Sequence, residues 1–381
     1  MLELLIKVSL FLLVLHYVGY PVGVILAARR WGKPPVPLAA DPDLPEITFV
    51  IAAYNEERVI EAKLRNTLSL DYPPDRLRIV VAAQGSSDAT ASIARSFELH
   101  GVTVLHDTRR SGKTAALNEA IAQCSSTIVV FSDANNAFAG DALQRLVRHF
   151  SDSAVGGVSG LKQIRPADDR ESSVGDSLYW KYEAAIKSAE SSLGSITAAD
   201  GEIFAMRRAL YRMLDPTLIN DDAALTIAIV QSGQRVVYDP TAKSFEDASI
   251  TIGDDFNVKV RMVSGGFQTL HRNWRFLLSP RRLFSWQFFC HKTLRWTAPE
   301  LLIALFLANV TQLHQPMFAI LFGLQVGFYG LATAGLFLRS GTKPLPNMLY
   351  VPFYFCAMNL AALLGLYRYM TGTTTWKKAA R

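Results

Sequence analysis

The chain has 381 residues, 50% of them hydrophobic and only 19% charged, below the roughly one quarter that soluble domains carry. This balance excludes an ordinary soluble enzyme, a repeat array and a disordered tail, and it points to membrane. Lys and Arg (39) exceed Asp and Glu (33) by six, a surplus suited to an anionic lipid surface or a phosphate-bearing substrate, with nucleic acid excluded as a partner.

The first 28 residues read as a transmembrane anchor. From Val8 to Ala28 there are 21 residues without Asp, Glu, Lys or Arg, about the 20 that a helix needs to cross a bilayer. Arg29, Arg30 and Lys33 follow this stretch instead of preceding it, which opposes a cleaved signal peptide and puts that end on the inner side. Residues 29–45 form a stiff linker marked by Pro34, Pro35, Pro37, Pro42 and Pro45. Residues 46–275 carry ordinary charge. Residues 276–295 mix aromatics with Arg and Lys, as a helix lying in the headgroup region does. Residues 296–370 hold three further spans: the uncharged run Leu301–Leu338 turns at Thr311–Pro316, Arg339 and Lys343 mark an inner loop, and Pro344–Tyr367 is uncharged again. A basic tail with Lys377, Lys378 and Arg381 fills 371–381. Cys124, Cys290 and Cys356 are too scattered for a disulfide framework or a metal cluster, consistent with a reducing, cytoplasmic main body beneath a multi-pass inner membrane protein.

Within the body, the apolar runs Ile47–Ala53, Leu77–Ala83, Val102–His106 and Ile128–Ser132 read as buried strands, each followed by an amphipathic stretch. The class is α/β with a largely parallel sheet, where ligands bind beyond the carboxyl ends of strands. Polar clusters stand at those ends: Tyr54-Asn55-Glu56-Glu57, Gln84-Gly85-Ser86-Ser87-Asp88, Ser111-Gly112-Lys113-Thr114 before a helix, and Ser132-Asp133-Ala134-Asn135-Asn136. Singly, Asn55 and Asp88 read as helix caps and Lys113 as a solvated lysine. Jointly the clusters fit a polyanion, with Lys113 and a helix N-terminus for phosphates and Asp133 for a divalent cation. Asp107 stands where a Walker motif needs Gly, and no GxGxxG occurs, which opposes P-loop and dinucleotide readings. A transporter is disfavoured because the apolar runs carry no Asp, Glu, Lys or Arg.

In this order the motifs resemble those of the family 2 glycosyltransferases of GT-A fold, in particular the membrane branch of hyaluronan, chitin-oligosaccharide and cellulose synthases, over roughly residues 45–275. The resemblance implies a GT-A domain inserted between transmembrane helices. It implies that Tyr54, Asn55, Glu56, Gln84 and Asp88 bind the nucleoside end of a nucleotide-sugar donor, expected to be a UDP-sugar, and that Lys113 and Arg261 bind its diphosphate. It further implies that Asp133 and Asn135 hold Mg2+ or Mn2+, that Asp200, Asp221 and Gln268 lie at the acceptor, and that Asp222 is the general base of an inverting transfer. Three motifs depart from the family pattern. Gln84 and Asn135 stand where Asp is common, and Val258-Lys259-Val260-Arg261-Met262 keeps the Arg of Gln-x-x-Arg-Trp but not its Gln or Trp. The expected product is a polysaccharide or oligosaccharide made at the membrane. One-sugar transfer to a polyprenyl phosphate or glycolipid, and a catalytically silent nucleotide-sugar binder, are the alternatives. Membrane lipids and a second copy of the chain are the other expected partners.

Overall fold

The structure, a computed structural model, describes residues 1–35, 44–109, 111–165, 172–247, 252–278, 282–338 and 345–372. Pro37 and Pro42 of the linker, Arg339 and Lys343 of the expected inner loop, and Lys377, Lys378 and Arg381 of the tail lie outside the described residues. The helices are α1 (Leu2–Val14), α2 (Tyr20–Trp31), α3 (Ile60–Leu68), α4 (Thr90–Arg95), α5 (Lys113–Ala122), α6 (Ala142–Val147), α7 (Ser172–Leu193), α8 (Asp221–Gln231), α9 (Ile252–Asn273), α10 (Arg282–Phe288), α11 (Leu294–Val310), α12 (Pro316–Leu338) and α13 (Asn347–Thr371). The strands are β1 (Ile47–Ala52), β2 (Leu77–Ala82), β3 (Val102–Leu105), β4 (Ile128–Asp133), β5 (Asn136–Phe138), β6 (Val155–Arg165), β7 (Phe204–Arg207) and β8 (Arg235–Asp247). The chain divides into two compact units, one of residues 1–26, 166–181 and 248–381, the other of residues 27–165 and 182–247.

All eight strands belong to the second unit and form one sheet in the order β3-β2-β1-β4-β7-β6-β8-β5. The four strands expected from the apolar runs are present, parallel and adjacent. Their β-branched, uniformly apolar sequences suit a sheet covered on both faces. Phe49, Ile51, Val81, Val130, Leu143 and Leu146 are among the buried core side chains. Beyond β4 the sheet turns mixed: β7 runs antiparallel to β4 and to β6, β8 runs parallel to β6, and β5 runs antiparallel to β8. This far half carries no long apolar run, and its register rests on local detail. At Gly160, beside an irregularity in the β6–β8 pairing, a Cβ would come within 2.6 Å of the Ala242 carbonyl oxygen, so only glycine permits that backbone approach.

In the other unit, α1 packs against α11 and the start of α12 through Ile6, Leu13, Ala298, Leu305, Ala308 and Phe318. Single π-helical turns at Leu15–Gly19 and Phe289–Thr293 are joined by the buried His16, whose Nδ1 lies 2.9 Å from the Cys290 carbonyl oxygen. Among the described residues three helices are long and apolar enough to cross a membrane: Leu2–Trp31, Pro316–Leu338 and Asn347–Thr371. The run expected to hold the second span is α11, of 17 α-helical residues with Pro299 inside. Phe276, Phe284 and Phe288 of the expected interfacial segment are buried against one another, while Trp286 and Leu283 are exposed. The outward side of α12 exposes Met317, Ile320, Leu324 and Phe337, a surface that water disfavours and hydrocarbon accepts. Amphipathic α9 packs on α13 where Gly365 admits it: a Cβ there would lie 2.8 Å from that of Val263.

Candidate functional site

The first two polar clusters are laced into one ledge beyond β1 and β2. Asn55 takes a left-handed backbone conformation (φ 53°), one that Asn tolerates better than most residues. Its Oδ1 accepts from Ser87 N–H at 2.9 Å, and its own N–H donates to Ser86 Oγ at 3.2 Å. Glu56 N–H donates to Thr90 Oγ1 at 2.7 Å. The Asp88 carboxylate accepts from Glu57 N–H (3.2 Å) and Thr90 N–H (3.0 Å). Burial opposes its ionisation, but these hydrogen bonds win and hold it below the usual range. Asp88 therefore builds the ledge with both oxygens. Gln84 is buried (5% exposed), and its Nε2 donates to Glu119 Oε2 at 2.9 Å. Its Oε1 is also buried and takes no hydrogen bond among the described residues. Tyr54, between the strand end and Asn55, is half-buried.

Lys113 opens α5 after Gly112, whose φ of 88° suits glycine. Its Nζ lies 2.8 Å from Asp133 Oδ1 at the end of β4, each side chain 36% exposed. Burial works to lower the lysine pKa, yet Asp133 and Asp221 outweigh it and hold the ammonium charged. One face of α5 is tied to the approach to α8: Thr114 Oγ1 donates to Leu218 O (2.9 Å), Asn118 Nδ2 to Leu214 O (2.7 Å), and Leu214 N–H to Asn118 Oδ1 (3.0 Å). Asn118 thus fixes the segment that delivers Asp221 and Asp222 into the first turn of α8.

Asp221 is buried and Asp222 half-buried. A Cβ on Gly201 would sit 3.2 Å from Asp222 Cβ and 3.5 Å from its Oδ2, so the carboxylate rests against the glycine of Asp200-Gly201-Glu202. Burial, with the neighbouring Asp221 charge adding to it, raises the Asp222 carboxyl to about 6, while Lys113 opposes the rise. Asp200 pairs with the buried Lys187 at 2.7 Å. Burial opposes the Lys187 charge, but Asp200 and Glu183 keep its pKa raised.

Asp133 and Asn135 alternate with the buried Ser132, Ala134 and Asn136, so their side chains share the accessible side of the turn into β5. Asn135 Nδ2 donates to Glu246 Oε1 at 2.7 Å, and its Oδ1 takes no hydrogen bond among the described residues. A carboxylate and an amide oxygen are the hard donors that Mg2+ and Mn2+ accept, so the pair fits a divalent cation. No group of three or more His, Cys, Asp or Glu able to hold a metal occurs among the described residues. The remaining coordination positions would fall to substrate phosphate oxygens and water, as is usual for Mg2+.

Sequence reasoning missed the lysines beneath this surface. Lys63 is buried and donates to Asn136 O (2.9 Å) and Oδ1 (2.8 Å), and burial lowers its pKa to about 7. Lys162 pairs with Glu202 at 2.9 Å and also with Glu246. Each sits in a helix or strand whose pattern is that of any half-buried element, and no local signal marks it. Arg261 and Gln268 are half-buried on α9, in the other unit, and the structure of the sheet unit therefore groups Asp133, Asn135, Lys113, Asp200, Asp221 and Asp222 without them.

A family model described as "Glycosyltransferase like family 2" matches residues 45–296. The poly-beta-1,6-N-acetyl-D-glucosamine synthase of Staphylococcus aureus is 27% identical over 245 residues, 63% of this chain and 59% of that protein. The synthase of the same name from Staphylococcus epidermidis is 27% identical over 242 residues, 62% of this chain and 58% of that protein. The chain spans about three fifths of the length of the curated relatives it matches. Among solved structures, a mannosyltransferase from Pyrobaculum calidifontis, PcManGT, in complex with GDP-Man and Mn2+, superposes with a TM-score of 0.74 at 24% identity, covering 97% of this chain and 99% of that one. The fold is therefore GT-A.

Proposed function

Because the chain belongs to the family-2-like glycosyltransferases, we propose that it transfers a sugar from a nucleoside-diphosphate sugar to a saccharide acceptor at a membrane, with inversion at the anomeric carbon. One observation carries the reading: Lys113 and Asp133 form an ion pair at 2.8 Å at the carboxyl edge of the sheet, and Lys113 also feels the charges of Asp221 and Asp222. Cation, metal-type carboxylate and base-type carboxylate thus converge in one unit. Asp133 and Asn135 would hold Mg2+ or Mn2+. The ion when bound would neutralise negative charge on the departing diphosphate. Lys113 and the first N–H groups of α5 face the same phosphates.

Asp222 takes the proton of the acceptor hydroxyl as that oxygen attacks the anomeric carbon. Its carboxyl, raised to about 6, is ionised at neutral pH yet more basic than an ordinary aspartate. A single base opposite the leaving group yields inversion. Lys187 holds Asp200 in place beside it, and Asp221 lies next to it at the acceptor. The Gln84–Glu119 pair lies at the nucleoside end. Arg261 and Gln268 have diphosphate and acceptor roles on motif grounds alone. The relatives are named poly-beta-1,6-N-acetyl-D-glucosamine synthases and the mannosyltransferase PcManGT was solved in complex with GDP-Man, and UDP- and GDP-sugars are the donors to screen. The exposed apolar faces of α12 and α13 support action at a bilayer, and the cytoplasmic side for the sheet unit rests on the basic residues Arg29, Arg30 and Lys33 after the first apolar run alone.

Release of nucleotide by the purified chain with UDP- and GDP-sugars and Mn2+ tests the reading. Turnover with at least one donor is expected, and its loss in Asp222→Asn. Silence with every donor supports a nucleotide-sugar binder instead. Mass spectrometry of the product then separates a growing saccharide from a single sugar on a lipid, the reading that Met262 in place of the synthases' Trp favours.

A further inference from the structure

We propose that Glu246, far from the site in sequence, is a positioning residue that sets which way the Asn135 amide faces. The inference rests on Asp133 and Asn135 forming the metal-holding face. β5 and β8 pair with Asn136 opposite Glu246, which brings the Glu246 carboxylate beside the preceding residue. An ionised carboxylate accepts hydrogen bonds and donates none. At 2.7 Å from Glu246 Oε1, Asn135 must therefore offer its NH2 group, and its Oδ1 is turned to the other side. That oxygen is the only atom of the Asn135 side chain a cation can use. A flipped amide would present two N–H groups to the ion and repel it.

Glu246 is held for this task. It is 2% exposed and pairs with Lys162, which also holds Glu202 at 2.9 Å. Lys162 lies opposite Ser244 in the β6–β8 register, two residues from Glu246 on the same strand face, so the ion pair is built into the sheet. A buried carboxylate keeps its charge only with such a partner. The pairing also explains the departure at position 135. An aspartate there would put two carboxylates within hydrogen-bonding distance with no N–H between them to bridge the oxygens. Asn135 and Glu246 thus form a matched pair.

The test is Mn2+ affinity, read on the full chain in detergent from the signal of free aquo Mn2+ in electron paramagnetic resonance. Saturating UDP is present, with GDP in a parallel series. In Glu246→Gln the donor-only Lys162 takes the glutamine oxygen and turns its NH2 toward Asn135, which forces the Asn135 amide over. Mn2+ binding is therefore expected to weaken about 10- to 100-fold, the usual scale for a disturbed partner of a metal ligand. The exchange Asn135→Asp with Glu246→Gln rebuilds the hydrogen bond with donor and acceptor reversed, and is expected to restore affinity to near the wild-type value. Unchanged affinity in Glu246→Gln, with Asp133→Ala losing Mn2+, overturns the positioning role and leaves the metal face standing. Unchanged affinity in Asp133→Ala overturns both. If Glu246→Gln melts early, the folded double variant decides: failure to recover Mn2+ binding overturns the inference.

Discussion

Replacing Asp222 by Asn should slow the enzyme and stabilise it at once. The Asp222 carboxyl is raised to about 6 from an ordinary 3.8, chiefly by burial and then by Asp221. A rise of about two units corresponds to about 3 kcal/mol of penalty on the ionised form. Asp222 is half-buried, and solvent screening brings that to about 1–3 kcal/mol. Below pH 3.8 the carboxyl is protonated in folded and unfolded chains alike and contributes nothing. Between about pH 4 and 6 the unfolded chain releases the proton first, so stability falls as pH rises, and above 6 the full penalty persists. Asparagine keeps the shape and the Oδ1 that accepts from Ala223 N–H at 2.7 Å, without the charge. At pH 8 the variant should therefore melt about 2–12 °C above the wild type, given roughly 2–4 °C per kcal/mol for a unit of this size. At pH 4 most of that difference should be gone. Turnover should fall about 100- to 10,000-fold, the usual cost of a missing general base, and wild-type turnover should decline as pH drops through about 6. Melting curves of the detergent-solubilised chain at both pH values, with nucleotide release on the same samples, provide the check. A melting difference that is the same at pH 4 and pH 8 refutes the buried-charge account, and full turnover in Asp222→Asn refutes the base assignment.

Lys113→Ala should cut nucleotide release about 100- to 1,000-fold, the scale for loss of one group that stabilises developing charge. Its melting temperature should fall, because Asp133, Asp221 and Asp222 lose the cation that offsets their mutual repulsion, although partial exposure of the Asp133 pair screens the effect. Gly201→Ala places a methyl 3.2 Å from Asp222 Cβ and should lower turnover while circular dichroism stays unchanged, since the first turn of α8 that carries Asp222 need give by only a few tenths of an ångström. Gly365→Leu sets side-chain atoms where Val263 Cβ is 2.8 Å away. It should separate α13 from α9 and lower the temperature at which the solubilised protein aggregates, at a cost of about 1–3 kcal/mol.

The parallel half of the sheet was legible because its runs are short, apolar and bounded by polar clusters. Ile47–Ala52 and Ile128–Asp133 appear where the letters put them. The clusters were legible for the same local reason: a strand end followed by Asn, Gly, Ser and Asp declares itself within five residues. Length and lack of charge likewise marked the apolar helices, although α11, with 17 α-helical residues after a π turn, is shorter than the uncharged run around it suggested. Local pattern could not reveal partners. Asn135 meets Glu246 across 111 positions, and Lys63 meets Asn136 across 73. Both contacts depend on strand order and register in the mixed half of the sheet, where β5, of three residues, carries no signal of its own. Sequence alone determined which chemical groups were at hand, because motif and hydropathy are properties of neighbours along the chain. The tertiary structure decided which charges face one another, because burial and register arise only when distant segments pack. The raised carboxyl of Asp222 and the fixed amide of Asn135 are products of that packing.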